Sequence, residues 1–148
     1  MDGINKDIRW KQRFQNFRRA FGLLREAMTG RDIGAYSALE LEGVVQRFEY
    51  SFELAWKTLK DYLEYNGVVL AEATPRKVIK ECAALGVFAE AGINGETYLE
   101  MMLARNALSH MHDFKLFEEM TEKIKSKFLR ELEMEFLFLS KKEMDDDA

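Results

Sequence analysis

Apolar residues recur along this chain at helical spacing. Trp10, Phe14, Phe17, Phe21, Leu24 and Met28 alternate steps of four and three, one stripe of an amphipathic helix. Lys11, Arg13, Arg18, Arg19 and Arg25 fall between them and give that helix a basic outer face, read first as a solvated one. Ser37 and Glu40 form an S-x-x-E capping box ahead of a second, long helix reaching about Asn66. Within it Val45, Phe48, Phe52, Ala55, Leu59 and Tyr62 make a seam of alternating threes and fours. Leu41, Val44, Trp56 and Leu63 widen the seam, and Tyr50 and Leu54 add apolar area on another side. Such a helix is expected to sit centrally, or at an interface between two copies. Asn66-Gly67 ends it, since Gly can take the left-handed conformation of a C-terminal cap. Thr74-Pro75 opens a third helix through Val78, Ile79 and Cys82 to about Leu85. A fourth starts near Asn94-Gly95 and carries Tyr98, Leu99, Met102 and Leu103 toward Arg105. The last spans about Lys115 to Ser140, with Leu116, Met120, Ile124, Phe128, Leu132 and Phe136 at every fourth position.

These segments predict an all-α, up-and-down bundle of four to five helices. One proline and nine glycines leave too few turns for a many-stranded sandwich or barrel. With 148 residues, 47% of them hydrophobic and 32% charged, the chain suits one globular domain. That domain is placed at residues 1–142, and the acidic end, residues 143–148, is expected to be a disordered and dispensable tail. Net charge is -4 but unevenly distributed. Residues 1–31 carry eight Lys/Arg against three Asp/Glu, a net of +5, and the rest carry 14 against 23, a net of -9. Nucleic-acid binding would therefore have to rest on a local patch.

The single cysteine, Cys82, excludes an intramolecular disulfide framework, and with only His110 and His112 beside it no structural metal centre is expected. No cofactor is expected either. No apolar run reaches the roughly 18 residues of a membrane span, and the start MDGINKDIRW lacks a signal-peptide core, so the expected compartment is the cytoplasm.

One stretch carries chemistry: Arg105-Asn106-Ala107-Leu108-Ser109-His110-Met111-His112. With Arg105 at the origin of a helical wheel, Ser109 falls at about 40°, Asn106 at about 100° and His110 at about 140°. If the helix continues, Asp113 falls near about 80° and His112 near about 340°. Ala104, Ala107, Leu108 and Met111 take the opposite arc. A cation, an amide, a hydroxyl and one or two imidazoles then share a polar face that could hold a phosphate through Arg105 and move a proton through His110. The alternative is a helix C-terminus where the histidines favour the dipole and Asp113 caps the next helix.

The stretch Gln46 to Glu64, QRFEYSFELAWKTLKDYLE, together with RNALSH, resembles the nucleotidyltransferase substrate-binding protein family, small helical proteins of the HEPN superfamily. The resemblance covers about residues 8–140. It implies a bundle that dimerises, encoded beside a separate minimal nucleotidyltransferase, with the R-x4-H motifs of two chains facing a shared cleft. In HEPN ribonucleases such a motif cleaves RNA without metal: the ribose 2′-hydroxyl attacks its neighbouring phosphate, His assists proton transfer and Arg stabilises the transition state. The resemblance would make Arg105 the cation and His110 the acid/base, with Asn106 matching the polar residue that often follows the arginine. Where toxin–antitoxin members often carry R-x4-H-x-Tyr, with a tyrosine that the partner adenylylates, this chain has His112. Silencing by modification at that position is thus not implied.

Three functions follow as alternatives. The first is a nucleotide- or substrate-binding subunit acting with the separate minimal nucleotidyltransferase in a two-component, toxin–antitoxin-like module, with Arg105, Asn106, Ser109, His110 and His112 as ligand-binding residues. The second is a metal-independent endoribonuclease toxin using Arg105 and His110 catalytically. The third is a ligand-free helical dimerisation module. The chain has no Gly-Ser pair followed by spaced aspartates to hold magnesium, so it is not expected to transfer nucleotides by itself.

Overall fold

The computed structural model describes residues 2–108, 110 and 113–147. Helices α1 (Asp2–Met28) and α2 (Ala38–Tyr65) form a hairpin closed by a 3-10 turn at Ile33–Ala35. Arg9 meets Glu64, Arg13 meets Asp61 and Arg47 donates to the Leu23 carbonyl, one number falling as the other rises, so the two run antiparallel. The predicted capping box is present: the Ser37 hydroxyl accepts from the Glu40 N–H at 3.1 Å, and Glu40 accepts from the Ser37 N–H at 3.0 Å.

Helix α3 (Pro75–Ala84) starts at the Thr74 cap, whose hydroxyl accepts from the Lys77 N–H at 3.3 Å. The single turn α4 (Val87–Ala91) is absent from the sequence reading, because five residues are too few to show a period. Its ends are set by backbone geometry: Gly86 and Gly92 take φ of +79° and +75°, left-handed values that a side chain would strain. Helix α5 (Gly95–Leu108) follows.

Helices α6 (Phe114–Lys123) and α7 (Leu129–Asp147) form one continuous rod through a π-helical turn at Ile124–Phe128. The every-fourth apolar pattern accounts for that turn. On an α-helix of 3.6 residues per turn such a pattern drifts around the axis, and one wider turn takes up the drift. Met120, Ile124, Phe128 and Leu132 consequently all reach the core.

Contacts along α7 fix the remaining directions. Arg25 meets Glu133, Gln15 meets Glu143 and Lys11 meets Asp147, so α7 is antiparallel to α1. Phe48 stacks on Phe128 and Tyr62 lies edge-on to Phe138, so α7 is parallel to α2. Tyr98 meets Glu135 and Glu100 meets Lys127, so α5 is antiparallel to α7. Helices α1, α2, α5 and α6–α7 therefore alternate in direction, with α3 and α4 inserted between the second and third: an all-α up-and-down bundle. Among the described residues no helix is long and apolar enough to cross a membrane.

Where the acidic tail from Glu143 is expected, α7 continues as helix through Asp147. Its like charges are offset across the bundle: Gln15 donates to both Glu143 oxygens at 3.2 Å, and Lys11 reaches Asp147 at 2.8 Å. The apolar seam of α2 is covered within the chain, whereas Tyr50 on its other side stays exposed. Leu41, Val44, Val45, Phe48, Phe52, Ala55, Trp56, Leu59 and Leu63 are all buried by α1, α3, α5 and α6–α7. The basic face of α1 is likewise largely engaged: Arg9, Lys11, Arg13 and Arg25 each meet a carboxylate, and Arg18 lies over the Phe136 ring.

One buried polar pair sits deep between α5 and α7. The Tyr98 hydroxyl donates to Glu135 Oε1 at 2.6 Å, and Glu135 Oε2 has no partner among the described residues. Burial pushes both groups well up, which favours the neutral form of each. Cys82 is buried nearby as a free thiol, raised chiefly by desolvation.

Candidate functional site

Three of the residues predicted to carry chemistry meet at the C-terminal end of α5. Arg105, Asn106 and His110 line a groove of about 480 Å³ together with Glu49 from α2. That volume lies within the range of small-molecule clefts, about 300–1,000 Å³. Ser109 and His112, the other two predicted ligand-binding residues, lie outside the described residues.

His110 gets there by a different route from the helical wheel. Helix α5 ends at Leu108, and the His110 N–H bonds the Ala107 carbonyl at 3.2 Å, a tight closing turn. Asp113 belongs to the next element: it is the N-cap of α6 and accepts from the Lys115 N–H at 2.9 Å. The wheel angles expected for His110 and Asp113 therefore do not apply. Arg105 and His110 nevertheless open onto one groove, the arginine from the last helical turn and the exposed imidazole from the turn after it.

Arg105 is held from behind. One guanidinium nitrogen bonds Glu53 Oε2, and the other lies 3.4 Å from the Asn106 side-chain oxygen. Glu53 is in turn fixed on α2 by the Trp56 indole N–H at 3.1 Å and by Lys57 Nζ at 3.1 Å. Partial burial raises the Glu53 carboxyl, but the Trp56 and Lys57 hydrogen bonds and the charge of Arg105 outweigh it and leave the group below its ordinary value. Glu53 is thus a carboxylate at neutral pH, and it ties α5 to α2. Arg105 and Glu53 keep 31% and 29% of their side chains exposed, enough for the guanidinium to meet a ligand from the groove.

Sequence reasoning missed this half of the site. Glu49, Glu53 and Lys57 recur every fourth residue along the polar face of α2, which reads from sequence as an ordinary solvated face with an i,i+4 ion pair. Only the packing of α5 against α2 shows what they serve.

Electrostatics restrict what the groove can hold. It lies at the negative end of the α5 dipole, so helix amides give no help to an anion. Anion binding must rest on Arg105 and His110, with two carboxylates close by. Among the described residues no group of three His, Cys, Asp or Glu side chains converges to hold a metal ion. Fold and site together define a four-helix up-and-down bundle with a mixed-charge groove at the end of α5. Residues 12–140 match the family described as nucleotidyltransferase substrate binding protein like, and the chain belongs to that family. A search of curated proteins finds no match.

Proposed function

We propose that this chain is the nucleotide- or substrate-holding subunit of a two-component, toxin–antitoxin-like module, acting in the cytoplasm with a separately encoded minimal nucleotidyltransferase. Family membership supports the partnership in its coarse form. The observation that carries the ligand is the groove in which Arg105, braced by Glu53, and the exposed His110 converge. A pre-positioned guanidinium binds phosphate as a planar fork, and an imidazole one turn away adds a second donor. Asn106 lines the same wall, and Ser109 and His112 complete the proposed set. The bundle is of HEPN type, and two copies pair around the groove. Exposed Tyr50 beside Glu49, and exposed Leu103 one turn from Asn106, support that pairing. Glu49 and Glu53 repel extended polyanions, which favours a single nucleotide over an RNA chain.

Calorimetric titration with nucleotides and with short RNA tests this, beside a gel assay for RNA cleavage by the chain alone. Nucleotide binding that Arg105→Ala abolishes, with intact RNA throughout, is the expected result. RNA cut by the wild type and spared by His110→Ala would replace this reading with the ribonuclease. No binding of any ligand would leave a dimerisation module.

A further inference from the structure

Glu49 is the part of the groove that phosphate binding does not explain. Its carboxylate is half-buried, and it has no ion pair or hydrogen bond among the described residues. Glu53, one helical turn further along α2, is by contrast engaged by Trp56, Lys57 and Arg105. An unpaired carboxylate on a solvated face carries no message. One on the wall of a groove that also holds Arg105 and His110 weakens any ligand that is only an anion, and rewards one that brings hydrogen-bond donors.

We infer that Glu49 is a specificity-determining residue that accepts hydrogen bonds from the neutral donor groups of a nucleotide, its ribose hydroxyls or base amino group, while the phosphate lies on Arg105. This inference rests on the nucleotide-holding reading above. The groove takes both ends of such a ligand: a cation and an imidazole for the phosphate, and a free carboxylate for the donors. A carboxylate that accepts from hydroxyl or amino donors forms charge-assisted bonds, stronger than an amide oxygen forms in the same place. Glu49 thereby selects a nucleoside phosphate over inorganic polyphosphate, which offers Arg105 the same charge without the donors.

The test is calorimetric titration of wild type and Glu49→Gln with ATP, 2′,3′-dideoxy-ATP and tripolyphosphate, after confirming that the two proteins melt alike. Glu49→Gln is expected to weaken ATP by about tenfold or more, while tripolyphosphate binds as well as before or better, since a repelling charge has gone. If wild type binds dideoxy-ATP as weakly as the variant binds ATP, the donors are the ribose hydroxyls. If it binds dideoxy-ATP and ATP alike, the donor is the base amino group. An unchanged ATP affinity in the variant, or ATP and tripolyphosphate tightening together, overturns the role of Glu49 and leaves the nucleotide-holding reading standing. Failure of the wild type to bind ATP at all overturns both.

Discussion

Replacing Tyr98 by phenylalanine removes one oxygen from the centre of the bundle and leaves the ring. The ring packs against Phe52 and Phe88 at 5.8 and 5.1 Å, so no cavity opens and the perturbation is confined to the hydroxyl. That hydroxyl is the one partner of Glu135 among the described residues, and Glu135 is fully buried with its second oxygen already unpartnered. The variant therefore strands a whole buried carboxyl group. Leaving a buried acceptor unsatisfied costs about 1–3 kcal/mol. For a chain of this size that corresponds to a fall in Tm of roughly 2–12 °C. The pH dependence gives a second reading. Burial raises the Glu135 carboxyl in the folded protein above its ordinary 4.5, although the Tyr98 hydrogen bond lowers it. The folded state thus holds the proton more tightly than the unfolded chain does. The stability so contributed is fully present below about 4.5 and is lost as pH rises toward the folded value. Glu135→Gln, which cannot ionise, should gain on the wild type as pH rises above 4.5 toward the folded value. Urea unfolding of wild type, both single variants and the double variant, across that range, measures both effects. A Tyr98→Phe loss below about 0.5 kcal/mol, or a Glu135→Gln difference flat with pH, would rule out a Glu135 carboxyl that depends on Tyr98 and is raised by burial.

Three further outcomes follow from the packing. Deleting residues 143–148 removes the contacts of Glu143 and Asp147 with α1, and being partly exposed these should be worth about 0.5–1 kcal/mol in thermal unfolding; no change would show that the helical end contributes nothing. Arg13→Ala withdraws the closest cation from buried Asp61, 3.1 Å away, and should cost about 1–3 kcal/mol in urea unfolding, since Lys60 remains to compensate in part. The Arg31 hydrogen bonds and the Ser37 N–H hold Glu40 down to about 2, so its capping contribution is present above the ordinary 4.5 and lost as pH falls toward 2; Glu40→Gln should remove that acid-side slope from melting curves.

Much of the bundle was legible because its signals are local and periodic. The Phe14–Phe17–Phe21–Leu24 stripe, the Ser37–Glu40 box and the Thr74-Pro75 start each depend on residues within a few turns, and each holds. What the sequence hid depends on distance. Nothing near Glu143 indicates that Gln15 will reach it, and the strict fourfold repeat from Leu116 to Phe136 reads as a plain helix until its drift meets the core. The site divides the same way. Arg105, Asn106 and His110 stand out as a motif within six residues, whereas Glu49 and Glu53 become part of it only when α5 docks on α2.

Ligand binding in the groove between the end of α5 and the Glu49–Lys57 face of α2 is open to direct measurement. Titrating a nucleotide into isotope-labelled protein, and following each backbone amide by NMR, tests it most directly. Shifts are expected to concentrate at Arg105, Asn106 and His110 and around Glu49 and Glu53, and to disappear in Arg105→Ala. Shifts centred instead on the outer face of α1 around Arg18 and Arg19, or on the acidic groove at Glu118–Glu122, would contradict it.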